Sequence, residues 1–572
     1  MENNINGITL NQQLADLLLI IEDNQGNIDE QDRLITEYIS KLEKRDEEYS
    51  KGGEGFALKY VIESVCQNKG LDISKVMKVY RSKNNPNREV CDSASVVKAL
   101  QEELSMSKEG CQELHTSILR TLKETDFSAK VDLLEKMPDG EVRRITPDDV
   151  RNLHAHIVQG GYNRITMGTC GRYSDFMSID GRTICTGNID RMMRFVNTFN
   201  KNHQTNISTK INTFMMYSDF PYILDEYLTA QGKDEGERRE IFKDSMMRYV
   251  IEVGARYGDS ISAVDMFNEL IYNPRTAEKT EHFAEYELDE NGDRIQEGID
   301  EKTGEPIYKE VGYVERKAGW QKYLTLQDLC DIAVVARAVL PNATFTYNDW
   351  NWVIPEKRNA MIDIVNRIKK IQEEIQGNGG IHVSDEIREL LDGKGISVGE
   401  DGKLAFGTEQ TIIDNIGLES HLNTETTPEE YEQMVDDVIT RTGLPAEATE
   451  ADVAYEKDVS DDEESSKKMQ QKQIELFAKI EELVRKGKLT GATIWSLGKA
   501  SFTDRMYGYI THASKLDEKF RSKIEISFQQ IGKATTNAFS SNPQPAIIAI
   551  EILEKGVRTQ EEIKEGHTQG DE

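Results

Sequence analysis

Ile261-Ser-Ala-Val-Asp265-Met-Phe-Asn268-Glu269 is a short, mainly apolar run that follows the amphipathic stretch Phe242–Tyr257 and finishes in Asn-Glu. A strand buried on both faces reads this way, brief and nearly continuous rather than strictly alternating. The same unit recurs in both directions. Candidate strands are Tyr162–Met167, Ile207–Met216, Thr344–Tyr347, Ile413–His421, Ala446–Val453 and Gly491–Leu497. Helical patterns lie between them at Ile189–Asn200, Leu326–Leu340, Arg358–Ile375, Pro428–Thr440 and Ile474–Arg485. Strand and helix in alternation imply parallel pairing through helical crossovers. Seven to eight strands over this length favour an α/β fold of the (β/α)8 TIM-barrel kind over an open doubly wound sheet. No G-x-G-x-x-G turn opens a nucleotide site.

Upstream the rhythm differs. Leu10, Leu14, Leu17 and Ile21 recur at helical spacing, as do Leu34, Tyr38 and Leu42, and Ser93–Met137 is rich in Leu, Glu and Lys. Residues 1–145 therefore read as an all-helical accessory region preceding a barrel over 146–540. Three segments of the barrel read as insertions: 281–317 with two hairpin turns, 376–411 rich in Gly, and the charged loop 459–468. The Asp289–Asp293 cluster lacks a full calcium-ligand loop and reads as a solvated turn. Residues 541–572 read as a C-terminal helix and flexible tail.

Composition narrows the function. Of 572 residues, 70 are Lys or Arg and 102 are Asp or Glu, a net charge of −32. That balance argues against tracking nucleic-acid phosphates or docking on anionic membranes, and leaves neutral ligands such as sugars open. No apolar run reaches the roughly 18–20 residues a membrane span needs. The first residues have no cationic segment and Asp16 interrupts their apolar stretch, so a cytoplasmic location is expected, or secretion if a leader has been removed. Six scattered cysteines without CxxC spacing read as reduced thiols, with no metal site and no cofactor expected.

In a barrel of this kind catalytic groups sit at the carboxyl ends of strands. Glu269 ends one run, and Glu450 ends another, Leu444-Pro-Ala-Glu-Ala-Thr449-Glu450-Ala-Asp452. Either Glu alone reads as a surface or salt-bridged residue. Together they are the pair that glycoside hydrolysis requires, one carboxyl protonated and one ionised across the scissile bond.

These runs, with three others in order, resemble the family 10 glycoside hydrolases, the endo-β-1,4-xylanases. Val264-Asp265-Met266-Phe267-Asn268-Glu269 is similar to that family's W-D-V-V-N-E, and Thr449-Glu450-Ala451-Asp452 to its T-E-L-D. Tyr347-Asn348-Asp349-Trp350-Asn351 resembles Y-N-D-Y-N, Ile416-Gly417-Leu418-Glu419-Ser420-His421-Leu422 resembles I-G-L-Q-S-H-L, and Thr493-Ile494-Trp495-Ser496-Leu497 resembles T-F-W-G-L. The resemblance covers roughly residues 162–507. It implies a retaining double displacement, with Glu450 as nucleophile and Glu269 as acid/base. It further implies that Asn268, Asn348, His421 and Trp495 bind the sugar, supported by Asp452 and Glu419.

The departures fall elsewhere. The third-strand R-G-H-T-L-V-W-H has become Lys210-Ile-Asn212-Thr213-Phe-Met-Met216-Tyr217, and Thr166–Arg172 replaces the second-strand E-N-x-M-K-W. The sixth-strand Gln is Glu419. Catalytic groups are kept while xylose-recognising ones are lost, which points to a β-linked glycan or oligosaccharide other than plain xylan. The alternative is a weak or inactive barrel serving as a carbohydrate-binding or structural protein. A carbohydrate substrate is expected in either case, with no nucleic acid or membrane, and a protein partner for the helical N-terminal region.

Overall fold

The computed structural model describes residues 6–10, 12–52, 80–81, 89–90, 107, 110, 135–136, 142–143, 146–160, 163–168, 187–217, 224–225, 228, 232–274, 286–291, 293–299, 306–423, 425–456, 463–494, 500–502 and 505–507. Numbering only the strands of the central ring, these are β1 (Asn6–Leu10), β2 (Arg164–Gly168), β3 (Ser208–Asn212), β4 (Ile261–Asn268), β5 (Thr344–Trp350), β6 (Asn415–Glu419), β7 (Ala446–Glu456) and β8 (Leu489–Ile494). Each pairs in parallel with its neighbours, from β1 with β2 round to β7 with β8. The pairing of β8 with β1, Asn6 opposite Ala492 and Ile8 opposite Ile494, closes the ring. The (β/α)8 barrel expected from the alternating pattern is the fold.

The first strand differs from expectation. Residues 1–145 contribute β1 to the barrel as well as helices. Leu10 shares the helical spacing of Leu14 and Leu17, and a five-residue strand, NGITL, is too short to reveal a period of its own. Helices α1 (Gln12–Asp23) and α2 (Ile28–Gly52) follow it. Leu17, Leu18 and Ile21 of α1 are buried, and α1 packs on α4 (Gly187–His203), whose Met192, Phe195 and Phe199 are buried too. Between these lies α3 (Pro147–Gly160). Most of Ser93–Met137, the tail 541–572 and Trp495 lie outside the described residues.

Among the described residues, the further α-helices are α5 (Glu235–Tyr257), α6 (Leu326–Val339), α7 (Pro355–Gly377), α8 (Asp385–Asp392), α9 (Pro428–Thr442) and α10 (Glu463–Arg485). Their ends are written locally. Thr427 caps α9 in a box with Glu430, Pro428 sits in its first turn, and Gly443 ends it at φ 65°. The insertion at 281–317 holds an antiparallel pair, Gln296–Ile299 with Pro306–Tyr308. Asp289 Oδ1 there accepts from the amides of Asn291 and Asp293, the solvated turn expected. The Gly-rich segment at 376–411 contains α8 between two short paired strands, Gly380–His382 and Lys403–Ala405. The segment read as a charged loop, 459–468, instead runs into α10 from Glu463, because Glu, Lys and Gln form helix well without an apolar stripe to announce it.

The barrel interior is polar. Arg164 of β2 meets Glu447 of β7, and Asn415 of β6 donates to Glu447 at 3.4 Å. Lys210 of β3 pairs with Asp265 of β4 at 2.8 Å, both fully buried. Contacts between strands that are not sheet neighbours, such as β2 with β7, run through the interior. The charges form a stack rising from the amino ends of the strands toward the carboxyl ends. Among the described residues no helix is long and apolar enough to cross a membrane. Cys330 is a buried thiol of α6, and the other five cysteines lie outside the described residues.

Candidate active site

Four strand ends bring their polar residues together above that stack. Asn268 closes β4, Asn348 lies in β5, Glu419 closes β6 and Glu450 lies in β7, all of them buried. Asn348 is the hub. Its Nδ2 donates to Glu419 Oε1 at 2.6 Å, to Asn268 Oδ1 at 2.7 Å and, more loosely, to Glu450 Oε1 at 3.2 Å. Its Oδ1 accepts from the Thr449 hydroxyl. Gly417 makes room for it, since a Cβ at that position would stand 2.1 Å from Asn348 Oδ1. The glycine of the sixth-strand motif is thus a packing requirement of the hub.

Glu450 is gripped from three sides. Asn212 Nδ2 donates to its Oε1 at 2.7 Å, and His421 Nε2 stands 3.0 Å from its Oε2. Asn212 also donates to Asp265 Oδ2 at 3.0 Å, joining Glu450 to the Lys210–Asp265 pair below. Asp452 is the register partner of His421 along β7.

Glu269 sits just past β4 with φ 50°, a left-handed conformation that costs energy in a residue with a Cβ and is typical of functional turns. The backbone holds it there, with its amide donating to Asn348 O at 2.9 Å and Arg316 Nε donating to its carbonyl at 3.3 Å. A register shift between β4 and β5, which sets Thr346 opposite Asp265 but Tyr347 opposite Phe267, re-aims the end of β4. Burial pushes the Glu269 carboxyl up, helped by Asp349 and Glu450 and opposed by Arg316 and Lys357, and leaves it at about 7. Burial and the neighbouring Glu450 and Glu269 push Glu419 well above the ordinary carboxylate range. That direction favours the neutral form of Glu419, and a neutral carboxylic acid presents one donor and one carbonyl oxygen, as the amide of a glutamine does.

Of the residues expected at the site, Glu269, Glu450, Asn268, Asn348, Glu419 and His421 come together. Trp495 and the side chain of Asp452 lie outside the described residues. Sequence reasoning missed several contributors. Lys210 and Asp265 could have been noticed as charges inside otherwise apolar strands, where an inward-facing ion pair is the economical explanation. Asn212 counted only as a replacement for a lost histidine. Arg316, stacked 3.5 Å above the ring centroid of Tyr217, comes from the insertion and carries no local signal. Asp349 is held by Lys357 Nζ at 2.7 Å and by the Tyr347 hydroxyl at 3.0 Å.

Among the described residues, two groups of side chains have metal-ligand geometry. Glu419, His421 and Glu450 each bring a ligand atom within 4.8 Å of the others, as do Glu22, His154 and His203 outside the barrel. In the first group a protonated Glu419 is a poor ligand, and Glu450 is already engaged by two amides.

The family model described as Glycosyl hydrolase family 10 matches residues 405–523 of this chain. Solved structures similar to it include a GH10 endoxylanase from a sugarcane soil metagenome, 18% identical, covering 61% of this chain and 81% of that one at a TM-score of 0.39. Xylanase 10B from Thermotoga petrophila RKU-1 in complex with xylobiose is 14% identical, covering 72% and 90% at 0.41. Native xylanase 10B from Thermotoga maritima is 15% identical, covering 71% and 90% at 0.40. No curated protein matches in sequence. The chain is similar to glycoside hydrolase family 10 over residues 405–523, and its own strand register carries the fold.

Proposed function

We propose that this chain is a retaining β-glycoside hydrolase acting on a β-linked glycan or oligosaccharide. The observation that carries this is Glu269, whose backbone amide is tied to Asn348, the residue that also holds Glu450, and whose buried carboxyl is raised to about 7. A general acid must hold its proton near neutral pH, and the partner must be oriented to attack. Asn212, Asn348 and His421 fix the Glu450 carboxylate from several directions, so it does not swing.

Glu450 attacks the anomeric carbon as Glu269 gives its proton to the leaving glycosidic oxygen, and the C–O bond breaks to a glycosyl-enzyme. Glu269 then takes a proton from water, whose oxygen displaces Glu450 and restores both carboxyls. Asn268, oriented by Asn348, stands beside the sugar's 2-hydroxyl, and Trp495 supplies an apolar floor. Glu419, protonated, fills the place of the family's glutamine. The early strands set the substrate. Asn212 turns to Glu450 and Tyr217 to Arg316, so the side chains standing where xylose-binding groups are expected serve the protein's own network.

Reducing-sugar release across a panel of β-linked glycans tests this, together with a 2-fluoroglycoside trap read by mass spectrometry. Turnover of at least one β-linked substrate, slow turnover of plain xylan and a label on the Glu450 peptide are expected. A label on another residue, or no turnover and no label on any substrate, would overturn it.

A further inference from the structure

Away from the barrel interior, three helices meet around one carboxylate. Glu22 lies in the last turn of α1, His154 on α3, and His203 is the final residue of α4. Glu22 Oε1 stands 2.5 Å from His154 Nε2 and 2.9 Å from His203 Nε2. The Glu22 side chain is fully buried, while the two imidazoles are 13% and 21% exposed. Glu22 Oε2 is held separately, by Asn202 Nδ2 at 2.8 Å and Gln25 Nε2 at 3.1 Å. Phe199 tilts over the His203 ring at 4.4 Å between centroids and meets His154 edge-on at 6.2 Å. Because α4 ends shortly before β3 begins at Ser208, the cluster lies toward the amino ends of the strands, opposite Glu269 and Glu450.

We propose that Glu22, His154 and His203 bind a divalent transition-metal ion, zinc fitting best, which fastens α1, α3 and α4 together. Two imidazole nitrogens and one carboxylate oxygen suit a borderline ion, whereas calcium and magnesium take oxygen ligands. Three protein donors leave a position for water, and the exposed edge of His203 gives the ion a way in. Asn202 and Gln25 act as the outer shell that fixes a ligating carboxylate. The two Nε2 atoms give their lone pairs to the ion, so each ring carries its proton on Nδ1 in the bound form. Bonds of about 2.0–2.1 Å to a tetrahedral ion place ligand atoms about 3.3 Å apart, so the imidazoles need to back away from Glu22 by less than about 1 Å.

The test uses the full chain, stripped with a chelator and titrated with Zn²⁺ and with Co²⁺. One equivalent should bind, with a visible cobalt spectrum lacking a thiolate charge-transfer band, which excludes the cysteines. His203→Ala, at a partly exposed side chain, should weaken binding at least about 100-fold, and Asn202→Ala by about 10-fold with unchanged stoichiometry. Saturating Zn²⁺ should raise Tm in the wild type and leave it unmoved in His203→Ala. His421→Ala should bind as the wild type does, which separates this site from the catalytic cluster. Absence of saturable binding, binding that survives both His154→Ala and His203→Ala, or loss of binding in His421→Ala would each overturn the proposal.

Discussion

Glu22, among α1, α3 and α4, and Glu269, at the end of β4, are both drawn out of water, and they end at opposite extremes of the carboxylate range. Burial pushes Glu22 up, but hydrogen bonds from His154, Asn202 and His203 outweigh it and hold the carboxyl at about 2. Burial pushes Glu269 up as well, and there Asp349 and Glu450 add to it against Arg316 and Lys357, leaving it at about 7. Desolvation is common to both, so the company each carboxyl keeps decides its charge. One region is built to keep an anion. The other is built to keep a proton.

The largest expected effects lie at the proton-keeping end. Glu450→Gln should lower kcat on the order of 10⁴–10⁶-fold with the fold intact by circular dichroism, as loss of a nucleophile does. A loss below about 100-fold would remove Glu450 from the chemistry. Glu269→Gln should cost about 10²–10⁴-fold on unactivated substrates and far less on aryl glycosides with good leaving groups. Because Glu269 must be protonated to act and sits at about 7, wild-type activity should fall as pH rises through that value. Glu269→Gln should lose this limb, and a limb that persists assigns it to another group. Asn212→Ala removes a donor from Glu450 and Asp265, and a lost buried hydrogen bond of about 1–3 kcal/mol predicts a loss of roughly 10–100-fold in kcat/KM.

The smallest effects are on stability, and their signs are opposite. A raised carboxyl such as Glu269 stabilises the fold fully below its unfolded value of 4.5, and that contribution is lost as pH rises through about 7. Glu269→Gln should therefore be more stable than the wild type at pH 8, by on the order of 1–2 kcal/mol, and not at pH 4. Glu22 is lowered, so its contribution is present above 4.5 and fades as pH falls through about 2. Glu22→Gln in chelator should be destabilised at pH 7, with the difference shrinking toward pH 2. Denaturant unfolding across pH measures both, and shifts of the same sign would break the contrast.

Much of this was legible in the residues. Ile261–Asn268 was read to its end residues, because a near-continuous apolar run ending in Asn-Glu leaves little room for another register. The grouping of Asn268, Asn348, Glu419, His421 and Glu450 followed from motif order on successive strands. The missed contributors are those whose meaning depends on contacts distant in sequence. Lys210 acquires its role from Asp265 across the strand pair, and Arg316 from Tyr217 and Glu269 in other segments. The Glu22–His154–His203 cluster draws on three helices separated by long stretches of chain, so no local spacing announces it.

The closing seam between β1 and β8, where Asn6 faces Ala492, also governs how the protein is made. At about 5–20 residues per second, roughly half a minute to a minute and a half of synthesis separates the first strand from its partner. Closing so long a loop adds little entropic cost, because that cost grows only with the logarithm of length, but the delay is real. Until β8 emerges, β1 presents an unpaired edge, the kind of surface on which nascent chains stick to one another. Early docking of α1 and α4, through Leu17, Leu18, Phe195 and Phe199, would hold that edge in place while the rest of the ring arrives.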